Sequence, residues 1–139
     1  MSDAKPPLSL KLVWENELVF GGRSGNLELR LDSAGVAGPS PMQALAFGLA
    51  GCMAMDLVHI LKKGRHDLRG LRAELLGTRA REQPHRFTAF ELKYIVTGNI
   101  PDDAVVRAIE LSREKYCSVW HSLRQDIELH ITHQVATGV

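Results

Sequence analysis

SPMQALAFGLAGCMAMDLVHILKKG, residues 40–64, is the stretch that decides the fold. It opens with a helix start. Ser40 can cap, Pro41 takes the first helical position, and Gln43 stands where a capping box needs a side chain. Lys62 and Lys63 suit a C-terminal end, and Gly64 stops the run. The pattern predicts one helix over 41–63, apolar nearly all round. Leu45, Leu49, Met53 and Ile60 lie on one side, and Ala44, Gly48, Gly51, Cys52 and Met55 on another. Phe47, Ala50, Ala54, Val58 and Leu61 fill the gaps. Such a helix is either a membrane span or the centre of a core. Asp56 and His59 inside it, with no second apolar span, favour the core. Ala44, Gly48 and Gly51 carry so little side chain that another backbone can come close. A small domain can hardly cover such a helix on every side, so a second copy of the chain is expected to complete the cover.

Outward from this helix, the chain reads as strands on both sides. Residues 8–14 (LSLKLVW) alternate apolar and polar, 15–17 read as a turn, and 18–20 as a short return strand. Residues 21–25 (GGRSG) read as a glycine-rich loop, 26–31 (NLELRL) alternate again, and 32–39 form a loop of small residues. The first three strands suggest a meander. Beyond Gly64, residues 68–81 and 87–97 (FTAFELKYIVT) are strand candidates, with Pro84 in the turn between them. A helix is expected from about Pro101 to Lys115 or Tyr116, a short one over 117–125, and a last strand over 126–135. The order is βββ-α-ββ-αα-β, an antiparallel-leaning α+β fold of one domain with a long buried helix.

Composition narrows the function. At 139 residues the chain is one domain's length and needs no disulfide or metal to fold. A net charge of +1 and 6% aromatics give no field or stacking surface for nucleic acid. Residues 1–7 lack the basic start and apolar core of a secretory signal, so a cytoplasmic protein is expected, acting away from membranes. Thiols stay reduced there, and two cysteines are then inert core residues or redox groups rather than a structural bridge.

The histidines do not suggest a metal. His130 and His133 would point to opposite faces of a strand, and Gly64 breaks the helix between His59 and His66. No CxxC or HExxH occurs, and a zinc ion at Cys52 and Cys117 would need two further ligands, so no metal site is expected. There is no GxSxG and no P-loop, and the GGRSG run precedes a strand rather than a helix. Cys52 and Cys117 remain. They are either small buried hydrophobes or a reactive pair. The second reading draws on Gly51 and Ala54 beside Cys52, and on Cys117 at a helix junction, where a positive dipole end would ease ionisation.

With these residues in hand, the sequence resembles the OsmC/Ohr family of bacterial thiol-dependent peroxide-detoxifying proteins. The carrying segments are Ser40-Pro41-Met42-Gln43 leading into Gly51-Cys52-Met53-Ala54-Met55-Asp56, residues 57–64 (LVHILKKG), and Glu114-Lys115-Tyr116-Cys117-Ser118-Val119. The resemblance runs in order over nearly the whole chain and is nearest the less-studied OsmC-like branch. It implies an OsmC-like fold and an intertwined homodimer with two sites at the interface. It implies that Cys52 attacks a small-molecule peroxide and that Cys117 closes a disulfide with it. An external dithiol would be the reductant, with no resident cofactor. Arg23 is the nearest match to an arginine that stabilises the thiolate and the leaving oxygen. Where the family commonly carries a glutamate to order that arginine, this chain has Met42-Gln43. Around the cysteines, Met42, Gln43, Phe47, Met55 and His121 are the candidate substrate-pocket residues. The missing glutamate and the Met- and Leu-rich surroundings of Cys52 leave an alternative: an OsmC-like binding protein for a small hydrophobic ligand, with no enzymatic step.

Overall fold

The computed structural model describes residues 4–137 and divides into two compact units, one through Leu45 and one from Ala46 onward. The first unit is the expected meander. Strands β1 (Lys11–Asn16), β2 (Val19–Ser24) and β3 (Leu27–Asp32) pair antiparallel in that order. Its turns differ from the sequence reading. β1 runs on through Asn16, and the chain reverses at Glu17, which has a positive φ of 47°. Gly21, Gly22, Arg23 and Ser24 are strand rather than loop, and only Gly25, at φ 57°, turns. Glycines erase the period-two signal because they have no side chain to alternate. At Gly22 a Cβ would meet the Leu29 carbonyl oxygen at 3.0 Å and a Leu12 methyl at 3.1 Å, so the ladder itself favours glycine. Residues 33–37 are not a formless loop. The Asp32 carboxylate accepts backbone N–H bonds from Ala34 (2.9 Å), Val36 (3.2 Å) and Ala37 (2.9 Å). Those bonds hold its pKa below the ordinary carboxylate value, the Ala37 bond most strongly.

Helix α1 (Pro41–Lys63) has the bounds that its sequence signals predict. The capping box forms: the Gln43 N–H donates to Ser40 Oγ (3.1 Å), and the Ser40 N–H donates to Gln43 Oε1 (2.9 Å). By length and hydropathy alone this helix could cross a bilayer, a property that core helices share.

The second unit holds the rest of α1 and a mixed sheet in the order β4-β5-β6. β4 (Asp67–Arg79) and β5 (Phe87–Asn99) pair antiparallel, whereas β5 and β6 (Glu128–Ala136) pair parallel. Three of the four pairings are antiparallel, as the leaning has it, and the β5–β6 pair is the parallel exception. It requires a crossover, which α2 (Asp102–Leu111), a π turn (Ser112–Tyr116) and α3 (Ser118–His121) provide. The expected helix over 117–125 shrinks to α3. The Gln125 side chain donates to the carbonyls of Trp120 (3.0 Å) and Leu123 (2.8 Å), occupying acceptors that a longer helix would use. At the open end of the β4–β5 pair, Gly98 has φ 146°, and a Cβ there would lie 1.9 Å from the Asp67 carbonyl oxygen. Only glycine fits that position.

The core is set by two periodicities. Leu49, Met53, Leu57 and Leu61 form an i, i+4 stripe on α1, and Phe90, Leu92, Tyr94 and Val96 form an i, i+2 stripe on β5. Every one of these side chains is at most 1% exposed. The Tyr94 hydroxyl ties the two elements by donating to the Ala50 carbonyl (3.0 Å). The helix is not covered on every side within the chain. Phe47 is 71% exposed and Met55 74%, and nothing lies within 4 Å of a Cβ built at Gly48 or Gly51. Side chains of the meander, such as Val13, Trp14 and Leu27, are likewise exposed.

Candidate active site around Cys52 and Cys117

The second unit brings the two cysteines together. Cys52 lies midway along α1 and is half-buried, and Cys117 is fully buried where the π turn meets α3. A third group stands with them. Both sulfurs and a carboxylate oxygen of Asp56 lie within 4.8 Å of one another. Asp56 is one helical turn past Cys52, so the two project on the same side of α1. The Ser112 hydroxyl, itself fully buried, donates to Asp56 Oδ2 at 2.8 Å and fixes that carboxylate.

A π turn makes this junction possible. The Cys117 N–H donates to the Ser112 carbonyl at 2.8 Å, an i→i−5 bond, so one extra residue enters the turn. The first residue of that turn meets Asp56, and the residue after it meets Cys52. Cys117 Sγ then accepts the Trp120 N–H at 3.4 Å.

Burial dominates the electrostatics of Cys117. The helix junction was expected to ease ionisation of Cys117, but burial instead pushes its thiol up to about 12. The Trp120 N–H opposes that rise, and the neighbouring Cys52 and Asp56 add to it. One backbone donor does not replace the water that Cys117 has lost. Tyr94 is also raised, by burial first and then by the negative field of Cys117, Cys52 and Asp56, so it remains a neutral donor to Ala50.

With the folded pKa of Cys117 raised above 9.0, its contribution to stability is complete below pH 9 and is lost as pH climbs toward 12. Stability is expected to fall over that window, and the fall should be smaller in Cys117→Ala, as read by urea unfolding at several pH values. An equal fall in both proteins would count against it.

The other expected site residues are placed as follows. Arg23, Met42 and Gln43 belong to the first unit. The Arg23 guanidinium pairs with the Glu28 carboxylate opposite it on β3, and Gln43 Oε1 is engaged by Ser40. Among the described residues no hydrogen bond joins Arg23 to Gln43. Phe47 and Met55 stand exposed on α1. His121 Nε2 lies 3.0 Å from the Arg113 carbonyl, which ties α3 back to the π turn.

Sequence reasoning missed Asp56 and Ser112. The signal for Asp56 was its place one turn after Cys52 in an apolar helix. Nothing in the sequence marked Ser112. Asp56 also opens onto a cavity of about 550 Å³ that His59, Lys63, Leu111 and Tyr116 help to line.

Comparison with known proteins agrees with this architecture. Residues 32–132 match the family model described as OsmC-like protein. Protein YhfA of Escherichia coli K12 is 40% identical over 129 residues, covering 91% of this chain and 95% of that protein. A crystal structure of a hypothetical protein from Aquifex aeolicus VF5 superposes with a TM-score of 0.87 at 28% identity, covering 94% of this chain and 97% of that one. An organic hydroperoxide resistance protein from Elizabethkingia anophelis shares the fold, with a TM-score of 0.68 at 16% identity over 96% of this chain and 99% of that one.

Proposed function

This chain belongs to the family of OsmC-like proteins, and on that premise we propose that it reduces organic or hydrogen peroxides through Cys52 and Cys117. The observation that carries the reading is the asymmetry of the pair: a half-buried cysteine beside a fully buried one, with a fixed carboxylate next to both. Cys52, as thiolate, attacks one peroxide oxygen. The O–O bond breaks, Cys52 becomes a sulfenic acid, and the leaving alkoxide or hydroxide takes a proton. Cys117 then attacks the Cys52 sulfur. The S–O bond breaks, a disulfide forms, and hydroxide leaves as water with the thiol's proton. Asp56 is placed to accept that proton and pass it on, which matters because Cys117 resists ionisation. An external dithiol restores both thiols by exchange. A reducing, cytoplasmic setting supplies such a dithiol and suits two free cysteines.

In this reading the active form is a homodimer. Its support is the apolar surface left uncovered on α1 at Phe47, Met55, Gly48 and Gly51. Sedimentation equilibrium at micromolar concentration is expected to give twice the 15.4 kDa chain mass, and a monomer would remove this part of the proposal. The role of Arg23 rests on the family resemblance alone, and an unchanged oxidation rate in Arg23→Ala would withdraw it.

The test of the reaction is titration of the reduced protein with cumene hydroperoxide, following free thiols and intramolecular disulfide by mass spectrometry. Loss of both thiols within seconds is expected. Survival of both for many minutes under excess peroxide would sink the peroxidase reading and favour the binding of a small hydrophobic ligand.

A further inference from the structure

The same three side chains carry a second chemistry that does not depend on the first. We propose that the reduced site binds one thiophilic divalent cation, zinc or cadmium, through Cys52 Sγ, Cys117 Sγ and a carboxylate oxygen of Asp56. The pair of cysteines alone falls short of such a site, because two ligands do not enclose a zinc ion. The fold adds the third, and all three ligand atoms already lie within 4.8 Å of one another. Around a tetrahedral zinc, with bonds of about 2.3 Å to sulfur and about 2.1 Å to oxygen, ligand atoms stand roughly 3.5 Å apart. Closing to that spacing asks for movements of about an ångström. Cys52 is the half-buried ligand of the three, and a change of its χ1 rotamer is the smallest such movement.

Three further features match what a cation needs. Ser112 donates to Asp56 Oδ2 at 2.8 Å, an outer hydrogen bond of the kind that orients a ligating carboxylate. A cavity of about 550 Å³ has Asp56 in its wall, so this one of the three ligands borders open space. Two thiols and a carboxylate are a donor set that suits zinc and cadmium and suits magnesium and calcium poorly.

The balance is simple. Both thiols deprotonate, one divalent cation binds, and two protons leave; no electron moves. Peroxide and cation therefore compete for Cys52, since a sulfur bound to the ion cannot attack an O–O bond. Formation of the Cys52–Cys117 disulfide removes two of the three ligands. The cation site exists in the reduced protein and disappears in the oxidised one.

Cadmium titration of the reduced full chain tests this, read by the ultraviolet thiolate-to-cadmium charge-transfer absorption. Saturation at one ion per chain with release of two protons is expected. The disulfide form and Cys52→Ser should lose the signal, and Asp56→Asn should weaken binding at least tenfold while the near-ultraviolet circular dichroism is retained. Asparagine keeps the size and can still accept from Ser112, so that variant isolates the ligand charge. Native mass spectrometry of the wild-type chain with zinc provides an arm that needs no variant and should give one added ion. No saturable binding at one ion per chain, or equal affinity in wild type and Asp56→Asn, would overturn the proposal. A protein that binds cadmium in this way yet leaves cumene hydroperoxide untouched would remove the peroxidase reading and leave this one standing.

Discussion

Cys52→Ser is expected to reduce thiol oxidation by cumene hydroperoxide to background, a loss of at least about a hundredfold, while Cys117→Ser should still react once and then stall. Access and ionisation set this difference. A thiolate is the nucleophile, and the first attack needs a sulfur that peroxide can reach. Cys117 is fully buried and held as a thiol by a pKa pushed up to about 12. At neutral pH its thiolate fraction is several orders of magnitude below that of an unperturbed cysteine. Cys52 is the half-buried member and has no such cover. Without Cys52 the remaining sulfur should therefore be nearly inert. Without Cys117 the sulfenic acid on Cys52 has no partner, so it should persist, accept a dimedone label, and go on to sulfinic acid under excess peroxide. Mass spectrometry separates these products. Fast oxidation of Cys117 in Cys52→Ser would reverse the assignment, and no oxidation in either single variant would end it.

Leu57→Ala is expected to destabilise the protein by about 2–5 kcal/mol, the range for emptying a fully buried leucine site. Leu57 is the third member of the α1 stripe, with none of its surface exposed, and it follows Asp56 directly. The stripe seats the helix, and the seated helix presents Cys52 and Asp56 to the crossover. Urea unfolding at one fixed protein concentration is the measurement, because a dimer makes apparent stability depend on concentration. Met55→Ala reads the dimer instead: Met55 is 74% exposed in one chain, so its loss is costly only where a partner covers it. A loss below about 1 kcal/mol in Leu57→Ala would contradict the packing described for this helix. A loss in Met55→Ala as large as that in Leu57→Ala would instead report a partner covering Met55.

Local chemistry made α1 legible from end to end. Ser40, Pro41 and Gln43 start it and Gly64 ends it, and each of these signals acts within a few residues along the chain. The strands were legible for the same reason wherever side chains alternate, as in β5. They blurred where glycine replaced a side chain in β2. What the local signals could not show was which stripe of an almost uniformly apolar helix is buried. Leu45, Leu49, Met53 and Ile60 were expected on one side; the buried set is Leu49, Met53, Leu57 and Leu61, while Leu45 stays 38% exposed. That choice belongs to the partner surface on β5, and periodicity alone does not contain it.

The site divides along the same line. Both cysteines were conspicuous in the sequence, and their family motifs suggested a pair. Their electrostatics could not be read there, because the Cys117 pKa depends on how completely the crossover buries it, and burial is a property of packing. Ser112 comes from a position 56 residues beyond Asp56, and only the π turn brings its hydroxyl to that carboxylate. By itself the sequence determined the long helix, the strand order and the two sulfurs. The tertiary structure decided which sulfur is shielded from water and which carboxylate stands beside both. Proximity across long separations is set by the sum of many buried contacts, and no single local signal carries it.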